Sequence, residues 1–233
     1  ALSYIESHEE IREVILTGGD PMILSDRKLA AISERLAKIT HVRLLRIHSR
    51  ILSANPRRIT PELIQIFKNS GKSVWFVSHI NSHHELTNDA RAAASILIDN
   101  GIPVLNQAVL LRGVNDQLDS LLILLQQLVE MRIQPYYLHY PDLAKGTSHF
   151  RIPLSRALEL MKGLRGRLPG YAIPDLVVDI PGGEGKVVLN PEWARRLPSA
   201  DSPASSGVGF TETWEFTSPL TGQMTRVDFQ FED

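Results

Sequence analysis

Two groups of residues have the types and spacing that chemistry needs. The first is a series of polar side chains closing successive apolar runs: Gly18-Gly19-Asp20, His48-Ser49-Arg50, Ser78-His79 with Asn81, Asn106-Gln107, and His139 with Asp142. A buried amide or imidazole needs a hydrogen-bond partner, and one bound polar ligand supplies partners to many at once. Taken singly, each has a plainer reading as a satisfied structural residue or a tight turn. The second group is Pro181-Gly182-Gly183-Glu184-Gly185-Lys186. Its glycine spacing is not that of a phosphate-cradling loop, and Val187 stands where a magnesium-binding Ser or Thr belongs. A lysine on a glycine loop can form a Schiff base with an aldehyde cofactor, or it can be an ordinary surface lysine. Asp142 and Asp179 suit an amino group, or else a helix cap or surface ion pair. His79, His83 and His84 lack a specific ligand spacing, so no metal site is assigned to them.

These residues need a frame. Residues 13–17 read as a strand that stops at Gly18-Gly19-Asp20-Pro21, and Ser25-Asp26 opens a helix with Leu29, Ile32, Leu36 and Ile39 at helical spacing. A strand at 43–48 follows, then a helix capped by Thr60 with Pro61 in its first turn. Further strands are expected at 73–77, 104–111, 134–139 and, last, 176–179. The helices between them start at Thr87, at 116–131 and after Pro153. Strands separated by helices predict βαβ units, right-handed crossovers and a parallel sheet covered on both faces. The units are too few for a closed eight-fold barrel, so the expected class is α/β, as a partial barrel. Past Arg196 the composition changes. Residues 197–207 read as a linker and 211–231 as a β-hairpin around Ser218-Pro219-Leu220-Thr221-Gly222. The expected boundary therefore divides 1–196 from a C-terminal extension at 197–233.

Composition narrows the classes. The chain has 233 residues, a formal charge of −1 and no cysteine. A disulfide scaffold and a cysteine-ligated zinc or iron–sulfur site within these residues are excluded. A near-neutral charge argues against a nucleic-acid partner. Leu121-Leu122-Ile123-Leu124-Leu125 is the densest apolar run, far short of the roughly 18 residues of a membrane span, and no secretory signal pattern is present. A cytoplasmic protein is expected. Ala1 at the start suggests a processed form or a fragment.

The motifs together carry a resemblance. Leu16-Thr17-Gly18-Gly19-Asp20-Pro21, Arg46-Ile47-His48-Ser49-Arg50, the run from Asn106 to Asp116, Pro135-Tyr136-Tyr137, Gly146 to Arg151, Gly170-Tyr171 and Val178 to Lys186 resemble the lysine 2,3-aminomutases in order and spacing. The match runs from about residue 8 to 193. That family consists of radical S-adenosylmethionine enzymes that also use pyridoxal phosphate. The resemblance implies a partial (βα)6 TIM-like barrel, here without its first unit. It implies interconversion of L-lysine and L-β-lysine through a radical derived from S-adenosylmethionine and an amino migration on pyridoxal phosphate. By the same resemblance Gly18, Gly19 and Asp20 hold the amino group of S-adenosylmethionine, and His79 and Gln107 line that cofactor. Lys186 carries pyridoxal phosphate, and Asp142 and Asp179 bind the distal amino group of a small-molecule lysine. A homo-oligomer is expected on the same ground.

Departures qualify the resemblance. The family's CxxxCxxC segment, which holds its [4Fe–4S] cluster, has no counterpart in the chain and is expected upstream of it. The family's C-terminal zinc cysteines are absent too. Without thiolates the chain by itself is not expected to cleave S-adenosylmethionine reductively. His139 is shared with relatives that modify lysine in elongation factor P, whereas the intact PGGxGK pattern favours free L-lysine. A degenerate cofactor-binding protein without radical chemistry is the reading from another class.

Overall fold

The computed structural model describes residues 1–182, 185–198 and 210–231. The chain has the expected α/β class. Its first seven strands are neighbours in one sheet in sequence order, the winding of a barrel rather than of a doubly wound sheet. It divides into two compact units, residues 1–107 with 127–135, and residues 108–126 with 136–233.

The first unit opens with a short helix α1 (Leu2–Glu6), which the sequence reading did not foresee. It continues through β1 (Glu13–Leu16), α2 (Asp26–Ala37), β2 (Leu44–Ser49), α3 (Ile51–Ala54), α4 (Pro61–Lys68), β3 (Ser73–His79), α5 (Asn88–Asp99) and the start of β4 (Val104–Val109). Strands β1 to β4 are parallel, with Leu45 opposite Val14 and Val74, and Phe76 opposite Val104. Helices start where sequence chemistry places them. Thr60 Oγ1 accepts from Leu63 N at 3.2 Å and Thr87 Oγ1 from Ala90 N at 3.2 Å, each satisfying one orphan donor of a first turn. Helix α5 ends at Asn100, and Gly101 at φ 79° turns the chain into the next strand. Leu29 and Leu36 of α2 and Leu63, Ile64 and Phe67 of α4 are buried, as are Leu45, Ile47 and Phe76 of the sheet. Each such side chain contributes about 1.5–3 kcal/mol by leaving water.

One expectation is corrected here. Both sheet faces were expected to be fully covered, yet burial alternates along β2 and β4. Leu45, Ile47, Val104 and Ala108 lie on the buried face. The opposite face carries Glu13, Ile15, Arg46, His48, Trp75, His79 and Gln107, with Ile15 40% and Trp75 38% exposed. The period-two pattern therefore leaves a second face that is open at Ile15 and Trp75 and closed at Val77, and His79 and Gln107 lie on it.

The second unit contains α6 (Leu118–Glu130) up to residue 126, β5 (Gln134–His139) from residue 136, α7 (Leu154–Leu164), β6 (Asp175–Asp179), β7 (Lys186–Val188), β8 (Ala194–Arg196), β9 (Phe210–Thr217) and β10 (Met224–Phe231). Strand β6 runs parallel to β5 and antiparallel to β7. The sequence reading ended at 176–179 and missed β7 and β8. The C-terminal hairpin forms between β9 and β10 as read, closed by Ser218 N donating to Gln223 O at 2.8 Å. It gains a third strand, because β8 pairs with β9. The linker expected at 197–207 lies outside the described residues from 199 onward. Trp214, Phe216 and Phe229 fill the interior of this small sheet, and the buried phenol of Tyr140 donates to Ile152 O at 2.7 Å. Burial pushes that phenol's pKa up. No helix among the described residues is long and apolar enough to cross a membrane.

Candidate functional site

In the first unit, β1 ends in the turn Gly18-Gly19-Asp20. Gly18 sits at φ 104°, which strains any residue with a Cβ. Asp20 organises the turn. Its Oδ1 accepts from Met22 N at 2.9 Å and from Ser49 Oγ at 2.7 Å, while Oδ2 accepts from Arg50 N at 2.9 Å. One carboxylate thus ties the end of β1 to the end of β2. The Arg50 guanidinium reaches Glu85 at 3.2 Å, and Glu85 Oε1 accepts from Asn81 N and Ser82 N in a capping box that sequence reasoning missed. The signal was present as Ser82 three residues before Glu85.

His79 and Gln107 are register partners on β3 and β4, so the structure brings these two expected residues together on the open face. Asn106, on the buried face, has a different role. Its Oδ1 accepts from Ser78 Oγ and Ile80 N, and its Nδ2 donates to Ile80 O, which pins the end of β3. His48 lies on the face of His79, and its Nε2 is buried without a hydrogen-bond partner among the described residues. Burial above all, then Arg46 and His79, lowers its pKa to about 4, against a weaker pull from Glu13. His79 is lowered as well, first by burial and then by Arg50.

The His48 shift has a measurable sign. The folded chain keeps His48 neutral, so the unfolded chain binds the extra proton once pH falls below about 6.5. Stability drains away until the folded imidazole protonates near pH 4. His48→Gln should remove about one proton from the slope of stability against pH across that window. Urea titrations at stepped pH measure it, and a variant with the parent slope would refute the assignment.

In the second unit, Lys186 is the first residue of β7, not a loop residue as the sequence suggested. Pairing with β6 holds it: Asp179 and Lys186 are register partners, and Ile180 N donates to Gly185 O at 2.9 Å. Gly185 at φ 96° makes the turn into the strand, while Gly183 and Glu184 lie outside the described residues. The Lys186 Nζ lies 2.7 Å from Asp179 Oδ2 and 3.2 Å from His139 Nδ1, and 5.8 Å from the centre of the Tyr137 ring. The sheet register explains this cluster. His139 pairs with Val177, which puts Asp179 two residues further on, on the same face. Asp142 is exposed beyond the end of β5, and among the described residues no hydrogen bond joins it to Asp179. The contact of His139 with Lys186 was not foreseen, because 47 residues separate them and no local pattern links them.

The groups implied by the sequence can be tested against these residues. A half-buried amine held by a carboxylate and an imidazole fits an aldehyde cofactor. The unpartnered Nε2 of His48 beside His79 fits a polar ligand on the open face of the first unit. An iron–sulfur cluster does not fit. The chain has no thiol, and no group of three His, Cys, Asp or Glu among the described residues is placed to hold a metal ion.

The family model for lysine-2,3-aminomutase matches residues 161–197, the segment from the last turn of α7 through β6, β7 with Lys186, and β8. The L-lysine 2,3-aminomutase of Fusobacterium nucleatum is 44% identical over 193 residues, 83% of this chain and 45% of that protein. Over most of its length the chain is thus similar to L-lysine 2,3-aminomutases. A protein of Aquifex aeolicus described as a putative L-lysine 2,3-aminomutase is 38% identical over 220 residues, 92% of this chain and 60% of its own length. The glutamate 2,3-aminomutase of Clostridioides difficile is 38% identical over 193 residues, 83% of this chain and 46% of that protein. The chain thus spans about half the length of the curated relatives it matches.

Proposed function

We propose that this chain carries the substrate- and aldehyde-binding part of an L-lysine 2,3-aminomutase, which moves the α-amino group of lysine to the β-carbon. The observation that carries the reading is the amine of Lys186 set between Asp179 and His139, within the segment matched by the family model. Pyridoxal phosphate, when bound, supplies an aldehyde for the amine and an electron-withdrawing ring. Lys186 is the residue that would hold it. Asp179 neutralises Lys186 in this structure and is free for another cation once that amine has been used. The distal ammonium of lysine is such a cation, and Asp142, three residues past β5, would be the second carboxylate for it. The glutamate-specific relative is the competing precedent. An acidic pair suits a cationic side-chain end and repels a carboxylate, which favours lysine.

On the first unit, His79 and Gln107 would contact S-adenosylmethionine, the source of the hydrogen-abstracting group, while Gly18 and Gly19 let the backbone approach it. The contribution of these residues is binding and orientation. Any cluster that reduces that cofactor must take ligands from elsewhere, because this chain has no thiolate.

The test is direct. Incubation with pyridoxal phosphate, reduction with borohydride and peptide mapping should place the label on Lys186. Lys186→Ala should lose it. A label distributed over exposed lysines, unchanged by the substitution, would overturn the assignment. Protection of the label site by free L-lysine, but not by L-glutamate, would support the choice of substrate.

A further inference from the structure

We propose that His139 is the base that removes the proton from Lys186 when its amine acts as a nucleophile. The inference rests on the reading of Lys186 as an aldehyde-capturing amine and adds the group that prepares it. An ammonium has three donors and no acceptor, so the nitrogen 3.2 Å away, His139 Nδ1, meets it with a lone pair. That geometry assigns the neutral ring with its proton on Nε2. The other group touching Nζ is the Asp179 carboxylate, at 2.7 Å. An imidazole is intrinsically a stronger base than a carboxylate, so of these two groups the ring is the one suited to take the proton. The carboxylate then takes a second role. It lies 3.6 Å from His139 Nδ1 and stabilises the imidazolium that forms.

The step balances without a further reagent. One N–H bond at Lys186 Nζ breaks, one N–H bond at His139 Nδ1 forms, and the positive charge moves from ammonium to imidazolium beside the same carboxylate. Lys186 is left with the lone pair that attack on a carbonyl requires. Among the described residues, charged groups of two other strands face His139. Strand β6 presents Asp179 and β7 presents Lys186. Tyr137 of its own strand lies edge-on at 5.7 Å, and β4 has no titratable side chain. The burial of β5 against β6 fixes the ring, since Leu138 and Val177 are 2% and 1% exposed. His139 is therefore held at the reacting nitrogen rather than sampling it from solvent.

The experiment uses the whole chain and acetic anhydride as the probe, so it does not depend on the cofactor. Acetylation of Lys186 is measured by peptide mass spectrometry relative to the exposed Lys145 at steps from pH 6 to 10. His139→Asn keeps an acceptor near the position of Nδ1 but cannot take a proton. The expected result is a loss in relative reactivity on the order of tenfold or more between pH 7 and 8. The loss should close at the alkaline end, where hydroxide removes the proton, and added imidazole should restore part of the rate at pH 7. His139→Asn with the parent rate and profile would overturn the proposal, because an acceptor alone would then suffice. A deficit constant across all pH would overturn it too, by showing that the ring only positions the amine. Borohydride trapping of pyridoxal phosphate in the parent chain reports separately on the cofactor reading. A label away from Lys186, together with the acetylation profile described, would refute that reading and leave the proton transfer standing.

Discussion

Asp20→Ala is expected to lower stability by about 3 kcal/mol, since hydrogen bonds to a charged group contribute about 1.5–3 kcal/mol each and this carboxylate is partly exposed. Three donors lose their acceptor together: Met22 N, Ser49 Oγ and Arg50 N. Ser49 is only 5% exposed, so its hydroxyl cannot turn fully to water. Asp20→Asn should cost nearly as much. Its carbonyl can still receive Met22 and Ser49, but its amide would point a donor at the Arg50 N–H. Urea unfolding with an unchanged m-value gives the number. An Asn variant as stable as the parent would show that the turn does not depend on the carboxylate. The substitution should also loosen Arg50, whose backbone is anchored by Asp20 and whose guanidinium holds Glu85. Any loss of S-adenosylmethionine binding in Asp20→Ala must therefore be compared with Ser49→Ala, which loosens the same turn and leaves the charge.

Glu212→Ala is expected to cost about 3–5 kcal/mol, the scale for removing one member of a buried charged network. Glu212 is 1% exposed on β9. It accepts from Ser155 N and Ser155 Oγ at the start of α7 and from Trp214 Nε1, and it pairs with Arg196 of β8 at 3.3 Å. Pro153, the residue before that helix, makes no side-chain cap, so the carboxylate supplies the missing one from the tail. The expected readout is a fall in urea midpoint together with faster proteolysis of residues 210–231. Glu212→Gln, which retains an acceptor for Ser155 N, should lose much less, about 1–2 kcal/mol. Equal losses in both variants would indicate a packing role without capping.

The sequence made the first unit legible because its signals are local. Strands at 43–48 and 73–77 stand within about two residues of where apolar runs and turn residues placed them. The Thr60 and Thr87 caps form as expected. Ser25 makes no side-chain cap bond, and the acidic Asp26 begins α2 instead. Strands β7 and β8 were not legible. Each is three residues long, too short for a period, and each forms only because a strand placed by the rest of the fold lies beside it. The open sheet face was missed for a related reason. Ile15 and Trp75 read as core residues by type, while their exposure depends on what covers them. At the candidate site, the family resemblance singled out Lys186, Asp179, His79 and Gln107. Register, not spacing, put His139 against Lys186 and left Asp142 without a bond to Asp179.

The capping of α7 by Glu212 also has a consequence in time. Ser155 and its acceptor are 57 residues apart in the chain. A ribosome adding about 5–20 residues per second needs on the order of three to eleven seconds to cover that distance. During that interval the nascent helix has its side chains but not the acceptor for its first amides. The order of synthesis therefore makes the tail the last piece to fix α7, and a stop codon before residue 212 would leave that helix permanently unfinished.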